Sequence, residues 1–239
     1  MWVSDSGEGP PLLVLHPGGT DSRAIEMVCA EFSGYRQLLV DRPGHGRSAD
    51  MVGPWSFAQM ADAMAEVLDD RDVDNAHVLG WSDGAIVGLY LALRRPDLVS
   101  TLVFGGAAFH HDGWLDGVLS EEDPPKFMGD SYAELSPDGA DHWAVVVRKA
   151  VELHQLEPDL SLARLSNVKA PVLIIVGDDD EVQFSHLLEM YGALPNAELA
   201  VVPRSTHGLI IEKPDILARF ARDLHRSDRT NGVAPLRRT

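Results

Sequence analysis

The chain has 239 residues, 45% of them hydrophobic and 24% charged, with a formal net charge of −17. Length and composition fit one globular domain and exclude disorder or a coiled coil; no apolar run approaches the ~20 residues of a membrane helix, since residues 170–176 stop at Gly177 and an acidic cluster. The charge opposes binding to phosphate backbones, so the expected partner is a small-molecule substrate, with neither nucleic acid nor membrane.

The N-terminal MWVSDSGEGPP shows no basic stretch, apolar core and cleavage site in sequence, so no secretory signal is read and a cytoplasmic location is expected. It has room for one short strand. The first clear strand is 12–15, followed by a Gly-rich turn (His16-Pro17-Gly18-Gly19) and a helical pattern at 22–32. The single cysteine, Cys29, falls there and reads as a buried structural thiol. Strand 37–40 runs into the turn 41–48. Ser56 and Gln59 have capping-box spacing, which predicts a helix from there to about 70. Strand 76–79 leads through Gly80-Trp81-Ser82-Asp83-Gly84 into a helix ending before Pro96, and 98–104 is the next strand. The rhythm breaks over about 107–167, where Pro, Gly and acidic clusters surround one helical stretch at 143–156; this reads as a short lid inserted over the sheet. Regularity resumes with strand 172–176, helix 184–194, strand 198–202, a turn holding His207, and a closing helix at 214–225. The basic stretch 226–239 (Arg226, Arg229, Arg237, Arg238) reads as a flexible tail after a single domain spanning 1–225. Strands alternating with helices predict an α/β fold, a mostly parallel central sheet with helices on both faces.

Gly80-x-Ser82-x-Gly84 lies between an aliphatic strand and an Ala/Leu-rich helix, the context of a nucleophile elbow. A serine hydroxyl needs a base. Of the 10 histidines, His207 follows the last predicted strand, at the edge where strand C-termini meet. His77 starts a strand and belongs at the opposite edge. His16, His45, His110, His111 and His186 are formal competitors with ordinary structural readings. The imidazole needs a carboxylate to hold its tautomer. The run Gly177-Asp178-Asp179-Asp180-Glu181 supplies several, and Asp180 lies far enough past the strand to arch back toward His207, whereas Asp178 is held near the strand. The backbone N–H groups of Gly18 and Asp83 are candidates for an oxyanion hole, the second at a helix N-terminus. No Cys/His zinc pattern is present, and His110-His111-Asp112 places its donors side by side rather than at helical i, i+4 spacing, so no metal site is expected.

Five spaced segments together resemble the α/β-hydrolase superfamily from Leu12 to about Leu224: LHPGG at 15–19, DRPGHGRS at 41–48, GWSDG at 80–84, VGDDD at 176–180 and STHGLIIEKP at 205–214. The resemblance implies a lid between the sixth and seventh strands, no cofactor, and a Ser82–Asp180–His207 triad in that chain order. Two departures stand out: the usual first strand is missing, and the oxyanion turn reads HPGG. The elbow is also similar to that of the biphenyl-hydrolase-like (valacyclovir hydrolase) branch, where the residue after the nucleophile pairs with the α-amino group of amino-acid esters. That assigns Asp83, with Trp81 beside it, to substrate binding. The expected activity is carboxylic-ester hydrolysis through an acyl-enzyme, with small acyl or amino-acid esters as substrates. Thioesterase, lactonase and C–C bond hydrolase chemistry on the same fold stay open, as does a ligand-binding member without turnover. Epoxide hydrolase and dehalogenase relatives carry aspartate where this chain has Ser82.

Overall fold

In the computed structural model, which describes residues 1–118 and 124–226, the aliphatic runs assemble into one seven-stranded sheet. The strands are β1 (Val3–Ser6), β2 (Pro11–Leu15), β3 (Arg36–Val40), β4 (Ala76–Trp81), β5 (Val99–Gly105), β6 (Val172–Asp179) and β7 (Ala197–Thr206). Their spatial order is β1-β3-β2-β4-β5-β6-β7. β1 runs antiparallel to β3, and all other neighbours are parallel. Successive side chains leave a strand on opposite faces. Leu13 and Leu15 therefore join one apolar cluster while Leu12 and Val14 join another, and Ile174 parts in the same way from Leu173 and Ile175.

Helices cover both faces. They are α1 (Glu26–Cys29), α2 (Phe57–Asp69), α3 (Asp83–Arg94), α4 (Lys126–Leu135), α5 (Trp143–Leu156), α6 (Leu162–Leu165), α7 (Phe184–Ala193), α8 (Leu209–Glu212) and α9 (Pro214–His225). α2, α3 and α7 pack on the face of Leu13 and Leu15, whereas α1 and α9 pack on the other. Cys29 lies in the second cluster, and its burial pushes the thiol up to about 12, which fits a structural thiol. The expected fold class is the observed one. The inserted segment, expected between the sixth and seventh strands, joins the fifth and sixth of the seven strands, β5 and β6, and it carries α4, α5 and α6.

Several boundaries differ from expectation for identifiable reasons. The helix predicted over 22–32 is a 3-10 turn at Ser22–Ile25 followed by the short α1. Its start is tied down by Asp41, which accepts from the Ser22 N–H at 2.9 Å, and by Asp21, which accepts from the Arg23 N–H at 3.0 Å. Its last carbonyls, of Cys29 and Phe32, are taken by Gln37 Nε2. β7 continues through Pro203 to Thr206, which an edge strand tolerates because a missing N–H there breaks no ladder. At Ser56 half of the capping box forms: the hydroxyl accepts from the Gln59 N–H at 3.1 Å. Beyond Arg226, the basic tail lies outside the described residues. Among the described residues no helix is long and apolar enough to cross a membrane.

Candidate active site

The β4–α3 junction is a tight turn in which Ser82 takes φ 53° and ψ −126°. A left-handed φ at a residue with a Cβ costs about 1–3 kcal/mol and persists only when its surroundings enforce it. The flanking glycines show why the turn needs them. A Cβ on Gly80 would overlap the backbone of Gly84, and one on Gly84 would overlap the carbonyl of Leu15 at the end of β2. The same contact seats the His16-Pro17-Gly18 turn directly on the elbow. α3 has no side-chain cap, and among the described residues neither the Asp83 N–H nor the Gly18 N–H donates a hydrogen bond.

From the C-terminal end of β7, His207 reaches the same edge of the sheet. Its Nδ1 lies 2.8 Å from Asp180 Oδ1, and the carboxylate side chain is only 1% exposed. Asp180 is itself fixed by two backbone donors, Gly177 N–H at 3.1 Å and Glu181 N–H at 2.8 Å. Asp178 instead accepts from the Ser205 N–H, and Asp179 is exposed. Burial disfavours the charged form of His207, but the Asp180 carboxylate outweighs it, and the ring titrates above its ordinary value. Glu181 stands 3.8 Å from Nδ1 as a more exposed second carboxylate. Ser82 and His207 line one cavity of about 220 Å³. No hydrogen bond joins the hydroxyl to the ring in this conformation; such contacts commonly tighten only with substrate in place. The cavity's other walls come from the His16–Gly19 turn, from Trp55, and from the β5–β6 insertion, chiefly Trp114, Met128, Trp143, Val146 and Val151.

Over residues 12–220 the sequence matches the alpha/beta hydrolase family. The chain belongs to that family. Its curated relatives include a protein of Azorhizobium caulinodans named "Putative carbamate hydrolase RutD", 27% identical over 241 residues, with 90% of this chain and 91% of the relative covered. Another is a 2-hydroxy-6-oxononadienedioate/2-hydroxy-6-oxononatrienedioate hydrolase of Cupriavidus pinatubonensis, 28% identical, with 85% and 83% covered. Among solved structures, an esterase from Exiguobacterium antarcticum superimposes with a TM-score of 0.76 at 21% identity, covering 95% of each chain.

Two residues of this alpha/beta hydrolase lie differently from the sequence expectation. Trp81, assigned to substrate binding, is fully buried away from the cavity lining, and its indole N–H donates to the His207 carbonyl at 3.0 Å. It positions the histidine loop. Asp83 does line the cavity, but its carboxylate is already engaged: Oδ1 lies 2.9 Å from His154 Nε2, and Oδ2 packs against Gly18 where a Cβ would sit. An imidazole supplied by the chain thus occupies the place expected for a substrate ammonium. Burial would raise the Asp83 carboxyl, but His154 and then Arg42 hold it well below the usual carboxylate range.

Sequence reading missed three supporting residues. His154 comes from α5 and meets Asp83 only through tertiary packing. Glu212 accepts from the Thr206 N–H at 2.9 Å and from its hydroxyl at 2.8 Å, bracing the loop of His207. Arg42 is fully buried and donates to the carbonyls of His16 and Pro17, both at 3.1 Å. Of the competing histidines, His16 accepts from the Arg42 N–H and His186 from the Phe109 N–H, while His45 stacks on Trp55. His77 lies at the opposite sheet edge, bonded to Thr101 and stacked on His225. His110, His111 and Asp112 form the grouping among the described residues that could hold a metal ion. It lies outside the cavity lining, and Asp112 is 78% exposed.

Proposed function

We propose that this alpha/beta hydrolase cleaves a carboxylic ester or closely related acyl bond, with Ser82 as nucleophile, His207 as general base and Asp180 as the carboxylate that orients it. The observation that carries the reading is the strained Ser82 elbow sharing one cavity with a histidine held 2.8 Å from a buried aspartate. With Nδ1 on Asp180, Nε2 is free to take the Ser82 proton as Oγ attacks the carbonyl carbon. The tetrahedral oxyanion would accept from the unpaired N–H groups of Asp83 and Gly18, aided by the N-terminus of α3. His207 then returns the proton to the leaving alkoxide, and water, activated by the same ring, releases the acyl group. The β5–β6 insertion serves as the lid, and its tryptophans and valines favour an apolar substrate body.

A second reading rests on the relatives. The RutD protein is named for carbamates, in which nitrogen flanks the carbonyl that Ser82 would attack. Initial rates on p-nitrophenyl esters of graded acyl length and on a matched p-nitrophenyl carbamate separate the two. The esters are expected to show the higher kcat/KM, and faster carbamate turnover would put the second reading in first place. On the preferred ester, kcat/KM should rise with pH through one group with a midpoint above about 6.5, because the base is the neutral ring and Asp180 favours the charged one. A profile that is flat or that falls through this range would contradict His207 as the base.

A further inference from the structure

A buried guanidinium without a paired carboxylate lies beneath the cavity. Arg42 is fully buried, donates to main-chain carbonyls, leaves Nε without a partner, and forms no ion pair with a carboxylate among the described residues. Burial pushes its guanidinium down only to about 10, so it stays cationic at neutral pH. Asp83 is the carboxylate whose charge acts on it. That same carboxylate is hydrogen-bonded to His154, whose ring titrates above its ordinary value because Asp83 outweighs the effect of burial. Burial, and then Arg42, drive His45 down to about 3, so it adds no charge. The Asp83 carboxylate therefore holds the His154 ring while also lying in the field of a buried guanidinium that has no carboxylate partner of its own, and a buried charge left without a counterion is costly.

His154 also has an unused donor. Its Nε2 is spent on Asp83, so in the protonated ring Nδ1 is a second N–H. Among the described residues Nδ1 has no partner, while the side chain is 16% exposed and lines the cavity together with Ser82. Besides Asp83, the acidic residue lining the cavity among the described residues is Glu181, which stands 3.8 Å from the His207 ring and is 46% exposed.

We propose that the His154–Asp83 pair, backed by Arg42, makes the cavity wall beside Ser82 a receptor for a carboxylate carried by the substrate, with His154 Nδ1–H as the donor. The substrate class is then esters whose acyl or alcohol part ends in a carboxylate, such as monoesters of short dicarboxylic acids. The sign is the reverse of what Asp83 alone suggests: with His154 and Arg42 in place, the wall attracts an anion. This inference rests on the reading of Ser82 as nucleophile for the bond that is cleaved, but binding tests it without turnover. In Ser82→Ala, calorimetry compares ethyl hydrogen glutarate with ethyl pentanoate at pH 7. A charged hydrogen bond of this kind predicts tighter binding of the anion by about ten- to a hundredfold. In Ser82→Ala/His154→Gln the ratio should fall to near one. Equal binding of the two esters to Ser82→Ala, or a ratio unchanged by the His154→Gln substitution in a protein with native circular dichroism, would overturn the proposal. Should the double variant not fold, the first comparison decides alone. If Ser82→Ala prefers the anion while the wild type hydrolyses neither ester, the reading of Ser82 fails and the carboxylate receptor stands.

Discussion

Ser82→Ala is expected to lower kcat for the preferred ester by about 10⁴- to 10⁶-fold, and His207→Ala by a similar factor, with the double variant little worse than either. Non-additivity is the informative part. If the hydroxyl and the ring carry out one proton transfer, losing either abolishes the same step, and the residual rate comes from substrate binding and the oxyanion donors. Asp180→Asn should lose less, because the ring keeps its packing and the Trp81 bond to the His207 carbonyl. Asp178→Asn should stay near wild type, since Asp178 caps the Ser205 N–H and does not touch the ring. Multiplicative losses in the double variant, or an inactive Asp178→Asn beside an active Asp180→Asn, would count against the assignment.

The second large effect is on stability in mild acid. Four histidines, three of them buried and His225 half-buried, are held neutral: desolvation drives His45 and His225 down to about 3, His186 to about 4, and His16 well below its ordinary value. A depressed folded-state value means that stability is fully present above about 6.5, where both states are neutral, and is lost as pH falls, because only the unfolded chain takes up the proton. Each group costs up to about 1.4 kcal/mol per pH unit in that window, so the four together remove on the order of 4–5 kcal/mol between pH 7 and 5.5. That is a large share of the ~5–15 kcal/mol typical of a folded domain. His154 and His207, whose values are raised, act in the opposite sense: their contribution grows as pH falls toward the unfolded value and is lost as pH climbs through their folded values, so they offset a minor part of the loss in acid. Urea unfolding at the two pH values measures the difference. His225 sits among Phe32, Tyr35 and His77; His225→Phe should shrink the acid loss by about 1 kcal/mol. A stability unchanged down to pH 5.5 would show that these rings are not held neutral.

The sequence makes the frame legible where local pattern and tertiary demand coincide. The aliphatic runs of β2 to β6 appear within one to three residues of their expected bounds, and α5 and α9 match theirs. The elbow is legible because Gly80 and Gly84 are steric necessities at fixed offsets from Ser82. α4 is not, because KFMGDSYAEL carries a mid-helix Gly129 and only Tyr132 of it is buried; Gly129 is needed where the helix meets the Trp143 indole. α8 hides within the turn after His207. The largest miss is electrostatic. Asp83 reads as an open anionic site in a five-residue motif, and nothing local announces that His154, 71 residues on, will occupy its carboxylate from another helix. Trp81 likewise reads as a wall of the pocket until the fold turns it inward to hold the His207 carbonyl.

The most direct measurement of the central claim is covalent labelling with a fluorophosphonate, followed by mass spectrometry of the proteolysed chain. An activated Ser82 should carry one phosphonyl group on the peptide containing Gly80–Gly84, with hydrolysis lost in proportion to labelling and no adduct in Ser82→Ala. A wild-type protein that hydrolyses esters with Ser82 unmodified, or that is labelled on another residue as activity disappears, would contradict it.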